Sequence, residues 1–198
     1  LVATDGRRLA MVQNDVEFPK SLETEVIVPT KAVNELQRLL SDDGEVKISI
    51  SDSQISFELN DNILVSKLIE GNYPNYSQVI PEETKERIPL DRESFLSTVN
   101  RVSLLANEKS NSVKCVFSKD QINVTANSQD VGEANETIEV SYKGPGVEIA
   151  FNPEFLMAPL RNLDADEIYL ELIDEMSPGV IRTTGSFLYV LMPMRVSQ

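Results

Sequence analysis

The chain has no histidine and one cysteine, Cys115, among its 198 residues. Without histidine, Ser-His-Asp triads and His-ligated zinc sites are excluded. A single cysteine cannot close an internal disulfide, which rules out a disulfide-stapled secreted scaffold. No apolar run approaches the ~18 residues of a membrane-spanning helix and no signal-peptide pattern opens the chain, so a cytoplasmic protein is expected. Glycine-rich phosphate loops are missing too: Gly144-Pro-Gly146 has no lysine after it and the next helical pattern starts too far on. Bases are in the minority, 18 Lys and Arg against 32 Asp and Glu, for a net charge of −14 spread along the chain. That balance argues against gripping nucleic acid with the whole surface but leaves room for a local basic track. With 41% hydrophobic and 25% charged residues the composition is that of a globular protein. The length allows one or two compact units.

What the sequence does contain is an internal repeat. A short apolar strand, a capping residue, an amphipathic helix and a run of alternating strands recur three times, a βαβββ plan. The strands open at Glu25, Arg87 and Glu148, and Thr30, Asp91 and Asn152 follow as N-cap types whose side-chain oxygens can accept a first-turn N–H. These caps lie 61 residues apart, twice. The helices present Val33, Leu36 and Leu40; Phe95, Val99, Val102 and Leu105; Phe155, Leu156, Leu160 and Leu163. Pro159 is expected to shorten or kink the third helix. Period-two strands follow each helix, from Val46, Gln54 and Ile63, then Val113, Gln121 and Glu133, then Glu167, Val180 and Phe187.

The pattern predicts an α+β protein, with helices on one side of curved antiparallel sheets. Leu1 to Val12 reads as strand on either side of Asp5-Gly6, at the place of a repeat's final strand. The leading strand and helix of that repeat are absent, so a piece of a longer protein is expected. A truncated domain over residues 1–76, a linker over 77–86 and a complete domain over 87–198 follow. Lys31, Arg38, Arg92, Arg101 and Arg161 fall on the helices, either as an ordinary solvated face or as a sparse basic lining toward phosphates.

Five stretches, in order, then carry a resemblance: Ala3-Thr-Asp-Gly-Arg-Arg-Leu-Ala10, Glu70-Gly-Asn-Tyr-Pro-Asn-Tyr76, Ala106-Asn-Glu-Lys109, Phe151-Asn152 and Tyr189-Val-Leu-Met-Pro-Met-Arg195. Together they resemble the bacterial DNA polymerase III beta subunit family, the replicative sliding clamps, across essentially the whole chain. The resemblance implies a DNA-clamp fold and a non-enzymatic processivity factor without a cofactor or metal. In such a factor two subunits form a homodimeric ring around duplex DNA. Polymerase, clamp loader and repair proteins dock on it by short peptides, in a pocket between the middle and C-terminal domains.

Carried over residue by residue, the resemblance implies a pocket of Thr4, Gly6, Arg7, Arg8, Leu9, Pro74, Val79, Asn152, Phe155, Met176, Val190, Leu191, Met192, Pro193, Met194 and Arg195. Methionine thioethers at such a site would repack around different apolar side chains. The bland reading of Met192 and Met194 is core packing. Lys31, Arg38, Arg92, Arg101 and Arg161 would face DNA. Leu104, Leu105, Glu133 and Glu136 would lie at the dimer interface, the two acids awaiting basic partners. The expected fragment would then be monomeric. Four positions depart from common family residues: Arg7 replaces His, Gln78 Arg, Ser110 an aromatic and Phe155 Tyr. Two other readings stand beside this one: a metal enzyme using Asp164, Asp166 and Glu167, and a peptide-binding or oligomerising scaffold of the same repeat with no DNA role.

Overall fold

The computed structural model describes all residues except 18, 20–22, 60, 82–83, 85, 107–110, 129–130 and 196–198. The Ala106–Lys109 motif therefore lies, after Ala106, outside the described residues, as does Ser110. By contacts the chain divides into Leu1–Asp15 with Tyr76–Gln198, and Val16–Asn75. The division follows sheet membership and not chain order.

The larger unit opens with a hairpin, β1 (Val2–Thr4) and β2 (Arg8–Val12). After a 3-10 turn at Tyr76–Val79 come β6 (Glu86–Asp91), α2 (Arg92–Ser103), β7 (Val113–Ser118), β8 (Gln121–Ser128) and β9 (Gly132–Glu139). The next repeat supplies β10 (Val147–Phe151), α3 (Pro153–Asn162), β11 (Glu167–Leu172), β12 (Gly179–Arg182) and β13 (Phe187–Leu191). One antiparallel sheet runs β1-β2-β13-β12-β11-β6 and a second β10-β7-β8-β9. The two helices pack on each other and on the sheets around Phe95, Val99, Val102, Phe117, Ile149, Phe151, Leu156 and Leu160. All of these are almost fully buried, and burying such side chains stabilises a fold by about 1.5–3 kcal/mol each. An added Cβ at Gly179 would lie 2.9 Å from the Phe151 ring, so β12 can approach β10 only with glycine there.

Two of the three expected caps form. The Asp91 carboxylate accepts from the Ser94 N–H at 2.7 Å, and the Asn152 side chain accepts from Glu154 and Phe155. Thr30 does not cap: it is the first helical residue of α1 (Thr30–Leu39), and Pro29 precedes it as a cap without a side-chain hydrogen bond. Pro159 does not shorten α3, which runs three residues past it. A proline lacks the N–H that would bond the carbonyl four residues back, here that of Phe155, and the Tyr189 hydroxyl from β13 donates to that carbonyl instead at 2.8 Å.

The smaller unit comprises α1, β3 (Val46–Ile50), β4 (Gln54–Leu59) and β5 (Asn62–Lys67), with sheet order β3-β4-β5. The strand expected from Glu25 is reduced to one bridge, Ile27 to Ile69. Ile55, Phe57 and Leu59 form its core with Val28, Leu36 and Leu64 against it. Of the three apolar positions read on α1, only Leu36 packs there. Val33 and Leu40 are about half exposed, because one helix over three strands covers only a narrow stripe.

Candidate functional site

The β1–β2 turn is rigid for local reasons. Gly6 takes φ +82°, a region that costs other residues steric strain. The Asp5 carboxylate accepts from the Arg7 and Arg8 N–H groups, both at 3.0 Å, and from Arg8 Nε at 3.0 Å. Burial pushes Asp5 upward, but these donors outweigh it and hold the carboxyl below its ordinary value. Thr4 Oγ1 donates to the Arg8 carbonyl and accepts from the Gly6 N–H.

Register then sets which side chains share a face. Arg87, Glu171, Val180, Val190, Leu9 and Thr4 are successive partners from β6 to β1, one row across the outer face of the six-stranded sheet. At the Thr4 end lies a shallow cavity of about 50 Å³ lined by Thr4, Gly6, Arg7, Arg8, Leu9, Val79, Val190 and Met192. Leu9, Val79 and Val190 give it an apolar floor, Arg7 and Arg8 also line it, and the Met192 N–H donates to the Arg7 carbonyl at 3.0 Å. Met192 at its edge is 42% exposed, and an unbranched thioether side chain there can repack around entering side chains of different shapes.

Eight of the sixteen expected pocket residues thus converge. Arg8 also stacks over the Phe155 ring, 4.3 Å from its centroid, so Phe155 touches a lining residue without lining the cavity itself. Asn152 serves as the α3 cap. Leu191 is a correction: side chains alternate along β13, and it turns with Tyr189 into the main core. Met176 is exposed in the β11–β12 loop, outside the cavity. Past β13 the chain leaves the sheet: Pro193 is half-buried, the Met194 N–H donates to the Ala150 carbonyl at 2.7 Å, and Arg195 is exposed. Pro74 belongs to the smaller unit, where it is exposed.

The helix bases are less free than their spacing suggests. Arg38 pairs with Glu35 at 2.8 Å, Arg161 with Glu154 at 3.0 Å, and Arg101 with both carboxylate oxygens of Glu136 at 2.8 and 2.6 Å. Glu136 therefore does not await a partner; Arg101 holds it below the usual carboxylate range. Arg92 is corrected to a local role, since its guanidinium donates to the Leu160 and Ala165 carbonyls near the end of α3. Lys31 is exposed. Of the other interface residues, Leu104 is 78% exposed, Leu105 half-buried and Glu133 exposed. Among the described residues, no group of three or more Cys, Asp or Glu side chains is placed to hold a metal ion, and no helix is long and apolar enough to cross a membrane.

Residues that pattern reading missed are Tyr189 and Glu171. Tyr189 had a signal, since an interior proline always frees a carbonyl that needs a donor. Glu171 had none, because only strand register brings it to its arginines.

Comparison with known proteins agrees over the whole chain. The profile of the DNA polymerase III beta subunit central domain matches residues 1–75, and that of the same subunit's C-terminal domain matches residues 77–195. The beta sliding clamp of Chlamydia pneumoniae is 38% identical over 196 residues, covering 99% of this chain and 54% of that protein. The crystal structure of a DnaN sliding clamp from Bartonella birtlesii bound to griselimycin superposes with TM-score 0.92 at 38% identity, over 98% of this chain and 54% of that one. A Pseudomonas aeruginosa DNA polymerase sliding clamp gives TM-score 0.94 at 33% identity, over 98% and 55%. The chain spans about half the length of the curated relatives it matches.

Proposed function

This chain belongs to the DNA polymerase III beta subunit family and has its clamp fold, and from that membership we propose that it is part of a replicative processivity factor. In the whole protein two subunits close a ring around duplex DNA, and the ring holds polymerase, clamp loader and repair proteins by their short peptide motifs. Residues 1–76 are read as the end of the middle domain, 77–86 as the linker and 87–198 as the C-terminal domain. The role is topological and not catalytic.

The observation that carries the reading is the cavity itself. The Thr4–Leu9 hairpin, Val79 and the end of β13 meet around an apolar floor with Arg7 and Arg8 beside it. This suits an extended peptide with an aliphatic or aromatic anchor, and the movable Met192 suits anchors of several shapes. The paired helix arginines fit sliding as well: bases already neutralised by Glu35, Glu136 and Glu154 attract phosphate only weakly, so topology rather than affinity must keep the ring on DNA. The same pairing is what a scaffold without a DNA role would show. Neutralising Arg38, Arg101 and Arg161 in the whole protein separates the two, since a clamp loses processivity and a scaffold is indifferent.

The direct test is fluorescence polarisation with a labelled Gln-Leu-x-Leu-Phe peptide. Saturable micromolar binding, weakened about tenfold or more by Met192→Ala, is expected. Wild-type binding that the substitution leaves untouched would refute this location for the site.

A further inference from the structure

The row of side chains across the six-stranded sheet connects the cavity to a buried ion cluster at the other edge. Glu171, three strands from Leu9, is 6% exposed. Its carboxylate accepts from Arg182 Nε at 3.0 Å, lies 3.7 Å from Arg87 Nε, and accepts from the Thr84 hydroxyl at 3.3 Å. Arg87 in turn stacks on Tyr169, 4.0 Å from its ring centroid. A carboxylate on the outer face of a sheet stays this buried only when paired and covered. Three residues of the 3-10 turn and of the stretch after it reach this row. Val79 lines the cavity, Ile80 packs on the cluster of Leu9, Val180, Leu188 and Val190, and Thr84 reaches Glu171.

Three strand spacings, about 14 Å, separate Leu9 from Glu171, and Ile80 and Thr84 rest at the two ends of that row.

We propose that Glu171 is a positioning residue for the peptide pocket: with Arg87 and Arg182 it holds Thr84 at the far end of the row and through Thr84 it fixes Val79, five residues earlier, as the pocket's wall. The proposal rests on the peptide-pocket reading above. Its consequence is that pocket affinity depends on an ion cluster that no docked peptide touches.

The test compares wild type with Thr84→Val, which removes only the hydroxyl that reaches Glu171, and Thr84→Ser, which keeps it. Glu171→Gln is the stronger perturbation but leaves two arginines facing a neutral group. Hydrogen exchange of residues 76–80 is measured without peptide, and peptide affinity by polarisation. Protection of Cys115 from alkylation serves as a control for the core. Thr84→Val should speed exchange over 76–80 about tenfold and weaken the peptide about fivefold, with Cys115 protection unchanged and Thr84→Ser near wild type. Unchanged exchange overturns the fastening, and faster exchange with affinity within about twofold overturns the positioning role. A wild-type chain that bound no peptide would refute the pocket reading alone, since the exchange comparison needs no peptide and still decides the fastening.

Discussion

The link between Pro159 and Tyr189 allows a sharp test of how α3 survives an interior proline. The Phe155 carbonyl has lost its helical donor and accepts from the Tyr189 hydroxyl at 2.8 Å, with Tyr189 itself 5% exposed. Tyr189→Phe keeps the ring and removes that donor. A lost neutral hydrogen bond contributes about 1 kcal/mol, and a buried acceptor left without a donor costs about 1–3 kcal/mol. Pro159→Ala restores an N–H at position 159, which can bond the same carbonyl. Tyr189→Phe should then cost less in the Pro159→Ala background, by about 1 kcal/mol. The electrostatic interaction of Arg8 with the Tyr189 hydroxyl is lost in both backgrounds and cancels. Independent sites add within about 0.3–0.5 kcal/mol, so the expected coupling is resolvable. Because the chain has two units, a single unfolding midpoint is ambiguous. Cys115 removes the ambiguity: it is the only thiol, fully buried in β7 of the larger unit, and burial pushes its pKa up to about 12. Alkylation of Cys115 against urea concentration therefore reports the opening of that unit alone. Equal costs for Tyr189→Phe in the two backgrounds would refute the account of how Pro159 is accommodated.

Three further outcomes follow from the same geometry. Met194→Ala should leave peptide affinity within about twofold while Met192→Ala weakens it about tenfold, because Met194 is held through its backbone N–H, which any residue but proline supplies; polarisation titrations compare them. Glu136→Gln should weaken the hold on Arg101, strengthening binding of the whole protein to linear duplex DNA and steepening its salt dependence by up to about one phosphate contact; titrations at several salt concentrations that superpose on wild type would deny Arg101 a place at the DNA. Asp5 titrates below its ordinary 3.8, so its ordering of the β1–β2 turn is complete above that value and is lost as pH falls through the depressed one. NMR shifts of the Arg7 and Arg8 amides should move with a midpoint below 3.8, and Asp5→Asn should abolish the transition.

The repeat was legible because it rests on local chemistry. Caps at Asp91 and Asn152, apolar faces on α2 and α3, and alternating strands are each set by a few neighbouring residues, and the 61-residue spacing ties them together. Thr30 misled because cap preference is statistical and Pro29 already supplies the extended backbone before α1. Val33 and Leu40 misled because an apolar stripe does not say how much covers it. On β13 the run Phe187–Leu191 is buried on both faces, so its composition could not show which residues reach the pocket. Alternation puts Val190 at the cavity and Leu191 in the core.

The sequence by itself determined the fold class, the repeat, the exclusion of histidine and disulfide chemistry, and the family, because these depend on which residues occur and on short-range spacing. Only the tertiary structure decided that the N-terminal hairpin joins the sheet of the chain's last strands, that Glu136 answers Arg101, that Arg92 serves the end of α3, and that Glu171 lies in one row with the pocket. The first three are pairings between residues 35 to about 180 positions apart, and the fourth is a row of successive strand partners that runs from Glu171 to Leu9; their physical cause is strand register and helix packing, which no local pattern encodes.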